Sequence, residues 1–476
     1  MAEQQLVNAF YGDDFTGTMA TAENFMLAGI ATVVFTKAPS IELVRRSFPR
    51  IQAVGIAGIA RTLNVPQLER ELVPVYGKMR SYGALSYLYK VCSTFDSSPE
   101  VGNIGRAAEL GIEAFDPEFV SVLPAAPRLG RYLLFGNLYA AVARRRVYRL
   151  DRHPSLPNHP VTPMKEADML IHLGAQTELS SDLVTILDVQ GGVEGIAAGI
   201  DRVGGGGSPA EQPRLLFFDC LTPEQLEWIC EAILQKSRPP SFFIGAHEVP
   251  CGLAAAFRSR GLVEVDSGVT VSTEAGRNTD PIFVASGSCA EITGQQILWA
   301  GKNGFDTIAV RTELLLDDDQ AEGEIRRVIG AAERLLGAGR PVIAHTAVGS
   351  KDERVAGVRA RAVELGLSLE SARGRIGDAL GRVAEQVFRR SGIRRLVVAG
   401  GDTAGKVQSH LAVEALQIAA SLSDPAPLSY VYSRIPEVNG MEMAFKGGQV
   451  GQEDYFRTMQ SLEVVPFADA ALGKLR

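Results

Sequence analysis

Paired cysteines, metal-binding histidine patterns, membrane-length apolar runs and an excess of basic charge are all missing from this chain, and each absence removes a class of function. The five cysteines, Cys92, Cys220, Cys230, Cys251 and Cys289, are odd in number and scattered, which fits reduced thiols rather than a disulfide framework. No zinc-ligand spacing occurs, the six histidines form no His-Glu-x-x-His pattern, and His153 with His159 falls in a proline-rich segment that reads as an ordered loop. No uninterrupted apolar run reaches membrane length; the richest stretch, 129–143, contains Arg131, Gly136 and Asn137. The first residues lack the basic segment and apolar region of a secretory signal, so a cytoplasmic location without membrane association is expected. A formal net charge of -7 and the lack of a basic tail argue against a nucleic-acid partner, yet leave room for a local basic pocket that takes an anionic substrate. No repeat of solenoid length is present.

What the chain does have is glycine at strand ends. The most informative run is Leu396-Val-Val-Ala-Gly-Gly-Asp-Thr-Ala-Gly405-Lys406, an apolar β-branched stretch that ends in three glycines and passes into a helical pattern carrying Val407, Leu411 and Ala415. Strand, tight loop and helix N-terminus in that order turn backbone N–H groups toward one point, a geometry suited to phosphate. The spacing nearly completes a P-loop, but Val407 stands where Ser or Thr would hold magnesium, and no later strand ends in a clear metal-binding Asp. A dinucleotide fingerprint fits less well, which disfavours a dehydrogenase. On local pattern alone, a phosphate cradle and a plain strand-to-helix turn both remain open.

The opening segment repeats the device. Leu6 to Gly12 reads as a strand, Asp13-Asp14-Phe-Thr-Gly17 as a loop, and Met19, Ala22 and Met26 share one face of a helix that Gly29 can close before a strand over 31–36. Two adjacent carboxylates after the first strand lie at the edge where open α/β sheets bind ligands; equally, Asp14 could cap the helix and Asp13 face solvent. Further strands are expected over 51–59, 85–91, 215–218 and 242–244, with helical patterns between several of them. With 476 residues, two or three domains are expected. The fold class is therefore α/β with two domains, each built on a mainly parallel or mixed sheet flanked by helices. The glycine run 204–207 with Ser208 and Pro209 reads as a surface loop. The boundary is expected in the polar stretch 266–280, dividing domains 1–270 and 271–476, with a hinge between residues 260 and 282 that allows closure.

Taken in order, Asp13-Asp14-Phe-Thr-Gly17, Lys90-Val-Cys-Ser93-Thr94, Ser286-Gly-Ser-Cys289 with Thr293 and Gln296, Gly400 to Gly405, and Lys446-Gly-Gly-Gln-Val-Gly451 with Glu453-Asp454 resemble the four-carbon acid sugar kinases. The resemblance covers nearly the whole chain. It implies an N-terminal domain that binds a short sugar acid and a C-terminal domain that binds ATP, with magnesium as the nucleotide's companion, metal ligands unassigned, and homo-oligomerisation left open. By resemblance, Asp13, Asp14, Arg61, Lys90, Ser93, Thr94 and Arg131 surround the acceptor; phosphoryl transfer then needs a group to take the hydroxyl proton, for which Asp14 is expected, with Asp13 orienting substrate or supporting it. Arg61 and Lys90 would supply the fixed positive charge that a carboxylate needs, although surface solvation is the ordinary state of such side chains. Ser286, Ser288, Gly400, Gly401, Asp402, Thr403, Gly405 and Gly448 would line the nucleotide site. For the two serines a capped turn is an equal alternative, for Asp402 surface capping, and for Gly447-Gly448 a hairpin turn.

The chain departs from the family pattern near the acceptor. Cys92 occupies a usual Asp, 95–100 replaces a usual Arg-Gly step, and Ala57 and Gly58 stand where acidic and polar residues are usual. The Cys-Ser-Thr-Phe-Asp-Ser-Ser-Pro variant resembles the branch acting on 3-oxo-isoapionate, with a 3-oxo-tetronate as the close alternative. A non-catalytic sugar-acid sensor is the alternative of another class.

Overall fold

A computed structural model describes residues 5–142, 146–158, 162–204, 213–263, 271–274, 276–422 and 426–475. The chain divides into two units, Met1–Val269 and Thr270–Leu475.

The first unit strings short apolar runs between helices: β1 (Asn8–Gly12), β2 (Thr32–Phe35), β3 (Ala53–Ala57), β4 (Ser86–Lys90), β5 (Val120–Leu123), β6 (Arg131–Leu134), β7 (Asn137–Val142), β8 (Arg146–Arg149), β9 (Ser181–Val184), β10 (Leu215–Phe218) and β11 (Ser241–Gly245). Their main sheet has the order β2-β3-β1-β4-β11-β5-β10-β9, and each neighbouring pair is parallel. Such strands are covered on both faces, which is why every residue of β1, β4 and β11 is buried and their central positions are all apolar. An aromatic cluster fills one side: Tyr87 stacks on Phe115 at 4.0 Å between ring centroids, and Tyr76 and Phe242 pack against the same ring.

The apolar stretch 129–142 forms no long element. It folds as the antiparallel pair β6-β7, joined at Phe135 and Gly136, whose φ values of 46° and 74° make the two-residue turn that matches strand twist. β7 alternates buried Leu138 and Ala140 with more exposed neighbours, the period-two pattern of a half-covered strand.

The second unit contains β12 (Phe283–Ser286), β13 (Asp306–Ala309), β14 (Val342–His345), β15 (Arg395–Ala399), β16 (Val413–Ala420), β17 (Leu428–Ser433) and β18 (Glu442–Lys446). Parallel pairing runs β13-β14-β12-β15-β18, and antiparallel β17 and β16 extend it. Its core gathers Val284, Ile343, Val397 and Ala444 from the strands with Ile297, Phe456 and Met459 from covering helices. One sheet is thus parallel and the other mixed, each flanked by helices, in agreement with the expected class.

Several local expectations need correcting. The helix after the glycine loop runs from Gly401 to His410 and stops where Ala412 adopts φ 47°, so Ala415 lies on β16 and pairs with Tyr432. Gly447-Gly448 is no hairpin, because no strand follows β18 among the described residues. His159, residues 205–209 and, within 266–280, positions 266–270 and 275 lie outside the described residues. Among the described residues no helix is long and apolar enough to cross a membrane.

Candidate functional site

Ligands of open α/β sheets gather beyond the carboxyl ends of parallel strands. In the first unit, β1 delivers Asp13 and Asp14 there, β4 ends on Lys90, and the turn after β3 supplies Arg61. The four side chains form one ionic lattice. Arg61 donates from Nε to Asp13 Oδ2 at 3.0 Å and from Nη2 to Asp13 Oδ1 at 2.8 Å and Asp14 Oδ1 at 2.7 Å. Lys90 Nζ donates to Asp14 Oδ1 at 2.7 Å and reaches Asp13 Oδ1 at 3.4 Å. A Cβ on Gly17 would overlap Lys90 Nζ and Asp14 Oδ1, so a side chain there would displace the lattice.

Burial alone would raise the Asp14 carboxyl, but Lys90 and then Arg61 outweigh it and hold the group well below the usual carboxylate range. Burial likewise disfavours the Lys90 ammonium, yet Asp14 and Asp13 prevail and push it upward. Solvated-surface readings of these residues are therefore overturned: Asp13 and Lys90 are both 3% exposed. Asp14 does stand at the N-cap position of the helix Phe15–Leu27, but its carboxylate makes no capping hydrogen bond and is spent on the cations.

The loop after β4 continues the site. Among the described residues the half-buried Ser93 hydroxyl has no hydrogen-bond partner, whereas Thr94 donates to Asp96 Oδ1 at 2.8 Å and meets Cys92 Sγ at 2.9 Å. Burial pushes the Cys92 thiol up, and Asp96 adds to the effect, so this cysteine is a packed neutral group rather than a nucleophile. Burial lowers the Arg131 guanidinium at the start of β6, and the nearby Asp96 offsets part of that effect. Its Nη1 bonds the carbonyls of Leu129, Gly130 and Ala141 at 3.2–3.4 Å, while its buried Nε lacks a partner.

One residue here escaped the sequence reading. His247 follows β11, whose Gly245 pairs with Lys90, and its imidazole lies in the field of Lys90, Asp14 and Arg131. Burial, reinforced by Lys90, lowers it to about 4, so it is neutral at ordinary pH. Asn24 Nδ2 holds its backbone carbonyl at 2.7 Å. The only sequence signal was a histidine directly after the strand Phe242-Phe-Ile-Gly-Ala.

In the second unit three adjacent parallel strands, β12, β15 and β18, end in Ser286-Gly287-Ser288, Gly400-Gly401 and Lys446-Gly447-Gly448. The ends converge. Gly400, at φ 117°, donates its N–H to Lys446 O at 3.0 Å, and a Cβ on it would lie 3.2 Å from Ser288 N. Ser288 Oγ accepts from Ala290 N at 3.2 Å, so the capped-turn alternative holds for Ser288. It fails for Ser286, whose buried Oγ has no partner among the described residues. Thr403 packs its hydroxyl against Gly287. Gly405 lies farther along the helix Gly401–His410; for Asp402 only the backbone is described, in the first turn of that helix.

Lys446 also went unassigned in the sequence, though a lysine ending an apolar strand before two glycines was its signal. It is 2% exposed, and its Nζ donates to Thr293 Oγ1 at 3.0 Å and Gly447 O at 2.9 Å without meeting a carboxylate. Thr293 Oγ1 in turn donates to Gly448 O at 2.7 Å. Burial lowers the ammonium to about 8. Among the described residues, no group of three or more His, Cys, Asp or Glu side chains is placed to hold a metal ion, so they form no protein cage for magnesium. All five cysteines are free thiols.

Residues 8–252 match the family model described as a sugar-binding N-terminal domain, and residues 283–456 that described as a nucleotide-binding C-terminal domain. A 3-oxo-isoapionate kinase of Paraburkholderia graminis is 38% identical over 451 residues, covering 95% of this chain and 93% of its own. A 3-oxo-tetronate kinase of Methylobacterium radiotolerans is 30% identical over 446 residues, covering 93% of this chain and 96% of its own. Solved structures share the fold. A Haemophilus influenzae protein superposes with a TM-score of 0.72 at 21% identity, covering 95% of this chain and 99% of its own. A Salmonella typhimurium protein does so with a TM-score of 0.74 at 22% identity, covering 95% and 98%. With both domain models in sequence and kinases as whole-length relatives, the chain belongs to the four-carbon acid sugar kinase family, phosphotransferases acting on a hydroxyl group.

Proposed function

We propose that this chain is an ATP-dependent kinase that phosphorylates a hydroxyl of 3-oxo-isoapionate. The observation that carries the reaction class is Lys446, a buried ammonium without a carboxylate partner where three glycine-bearing strand ends meet. A buried cation left uncompensated by its own protein favours an anionic ligand, and the first-turn N–H groups of the helix Gly401–His410 favour phosphate. Ser286, with its orphaned Oγ, and Ser288, Gly400, Gly401, Thr403 and Gly448 line this site in the reading, with Gly405 and Asp402 on the helix behind it.

The acceptor belongs to the first unit. Arg61 and Lys90 hold the sugar acid's carboxylate or neighbouring hydroxyls by exchanging part of their bonding to Asp13 and Asp14, and Ser93, Thr94 and Arg131 complete the surround. Asp13 keeps Arg61 in place through the two-point contact. Asp14 accepts the proton as the acceptor oxygen forms its bond to the γ-phosphorus and the bond from that phosphorus to the ADP oxygen breaks. A carboxylate held so far below its usual range is a weak base, but a loose phosphoryl-transfer transition state asks little of one. Neutral His247 offers one donor and one acceptor, which suits a carbonyl beside a hydroxyl better than it suits a carboxylate. Magnesium, when bound, neutralises charge on the triphosphate with which it arrives.

The oxo acid is preferred because of the 38% identical relative and the uncharged Cys92-Ser93-Thr94 loop, with a 3-oxo-tetronate as second reading from the relatives at lower identity. An ADP-release assay over 3-oxo and branched sugar acids, with mass-spectrometric identification of product, tests the reading. A phosphorylated 3-oxo-isoapionate is expected. Ligand binding without product would instead support the sensor, and sole turnover of a 3-oxo-tetronate would replace the substrate.

A further inference from the structure

A cavity of about 330 Å³ opens in the second unit between the helices Glu353–Glu364 and Leu369–Ser391. One end is bounded by Gly287 and Thr403, which already belong to the glycine-loop site. Four apolar side chains line it from the two helices: Val355 and Val358, three residues apart on the first, and Leu369 and Ile376 on the second, with Thr312 and Thr346 also on its wall. Leu369 is 48% exposed, so apolar surface is left uncovered beside the opening.

The charges around the cavity are unusual for these two helices. Arg354, Arg361, Arg375, Arg382, Arg389 and Arg390 each lie within 4 Å of an acidic side chain. Arg359 and Arg373, the two exposed arginines that line the cavity, are the exceptions: neither has a hydrogen-bond or ion-pair partner among the described residues. An apolar slot flanked by two uncommitted guanidinium groups suits a flat, electron-rich ring, because guanidinium stacks on such faces and pairs with phosphate oxygens. Size decides how much of the ligand enters. Binding pockets for small molecules begin at about 300 Å³, so this cavity accommodates a nucleoside but not a whole nucleoside triphosphate. The phosphates would have to leave past Gly287 and Thr403, toward Gly400 and Lys446.

We propose that this cavity holds the nucleoside end of the donor, with the purine ring between Val358 and Ile376 and the guanidinium groups of Arg359 and Arg373 against its face and its first phosphate. The inference rests on the reading of the second unit as the ATP site, and its test separates the two. Binding of ATP and of inorganic tripolyphosphate is measured by calorimetry for the wild-type protein, for Val358→Trp, which fills the slot, and for the double variant Arg359→Ala/Arg373→Ala.

Val358→Trp is expected to weaken ATP by about tenfold or more while tripolyphosphate, which needs no slot, keeps its affinity. The arginine pair is expected to weaken ATP by several-fold and to narrow the preference for ATP over tripolyphosphate. Retained tripolyphosphate binding and an unchanged melting temperature show that Val358→Trp is folded; if it is not, the exposed arginine pair alone decides. Wild-type affinity for ATP in the folded variants overturns the cavity assignment and leaves the kinase reading standing. Failure of the wild-type protein to bind ATP or tripolyphosphate overturns the nucleotide site itself.

Discussion

Both units end a parallel strand on a buried lysine, Lys90 in the first and Lys446 in the second, but they balance that charge in opposite ways. In the first unit Asp13 and Asp14 face Arg61 and Lys90, two charges of each sign in contact at 2.7–3.4 Å, so the site is neutral before any substrate arrives. In the second unit Lys446 is buried against a hydroxyl and a carbonyl, and Arg359 and Arg373 at the neighbouring cavity have no partner among the described residues. The difference teaches what each site is prepared to receive. A small acceptor with both a carboxylate and hydroxyls has to exchange partners within a lattice, which selects on geometry. A polyanion needs only uncompensated cations and open N–H groups, and its own charge completes the site.

The strongest way to break this comparison is at Asp14. Asp14→Asn is expected to lower kcat by about a hundredfold, the low end of the range for a positioned proton acceptor, while calorimetric ATP affinity stays at the wild-type value. An unchanged kcat would remove Asp14 from the chemistry.

Next come the two lysines, whose removal should have opposite consequences for stability. Lys90→Met leaves the buried acidic pair partly uncompensated and is expected to destabilise the protein by about 3–5 kcal/mol, as for a broken buried pair. Lys446→Met removes a buried ammonium that has no counter-charge. It should melt no lower than wild type, yet weaken ATP by about ten- to a hundredfold, the worth of a hydrogen bond to a charged group. Thermal unfolding and calorimetry read both variants, and a comparable loss of melting temperature in each would dissolve the contrast.

A smaller effect follows from pH. Burial lowers Lys446 to about 8 in the free protein, so its ammonium, the form that attracts phosphate, disappears as pH rises through that value. The kcat/KM for ATP should therefore fall above pH 8, approaching tenfold per unit. Lys446→Arg, charged throughout, should flatten the decline, and a profile that is level from pH 7 to 9.5 in wild type would contradict it. Smallest is His247→Gln, expected to raise KM for the oxo acid by about three- to tenfold, the worth of one neutral hydrogen bond, with ATP kinetics unmoved. Steady-state titration of each substrate separates the two.

The glycine-loop turn, the βαβ opening and the presence of two α/β domains could be read directly from the chain, because apolar periodicity and glycine placement are local properties. The acidic pair was legible too, but its state was not: whether Asp13 and Asp14 face water or cations depends on Arg61, about fifty positions later, and on Lys90, which only strand order brings to β1. Lys446 and His247 were missed for the same reason. A lysine or histidine at a strand end usually faces solvent, and no local pattern says that its neighbours will bury it. The helix expected to reach Ala415 stopped at His410, and Ala412 takes a left-handed turn that alanine rarely adopts just before β16 begins to pair with β17, so residue preference did not foretell it.

By itself the sequence determined the menu: α/β class, strand ends rich in glycine, carboxylates in sequence, and the motif order of a sugar acid kinase. Tertiary structure alone decided which charges are paired and which are left open. Burial and strand order set the local dielectric and the distance between opposite charges, and those two quantities have no representation along the chain.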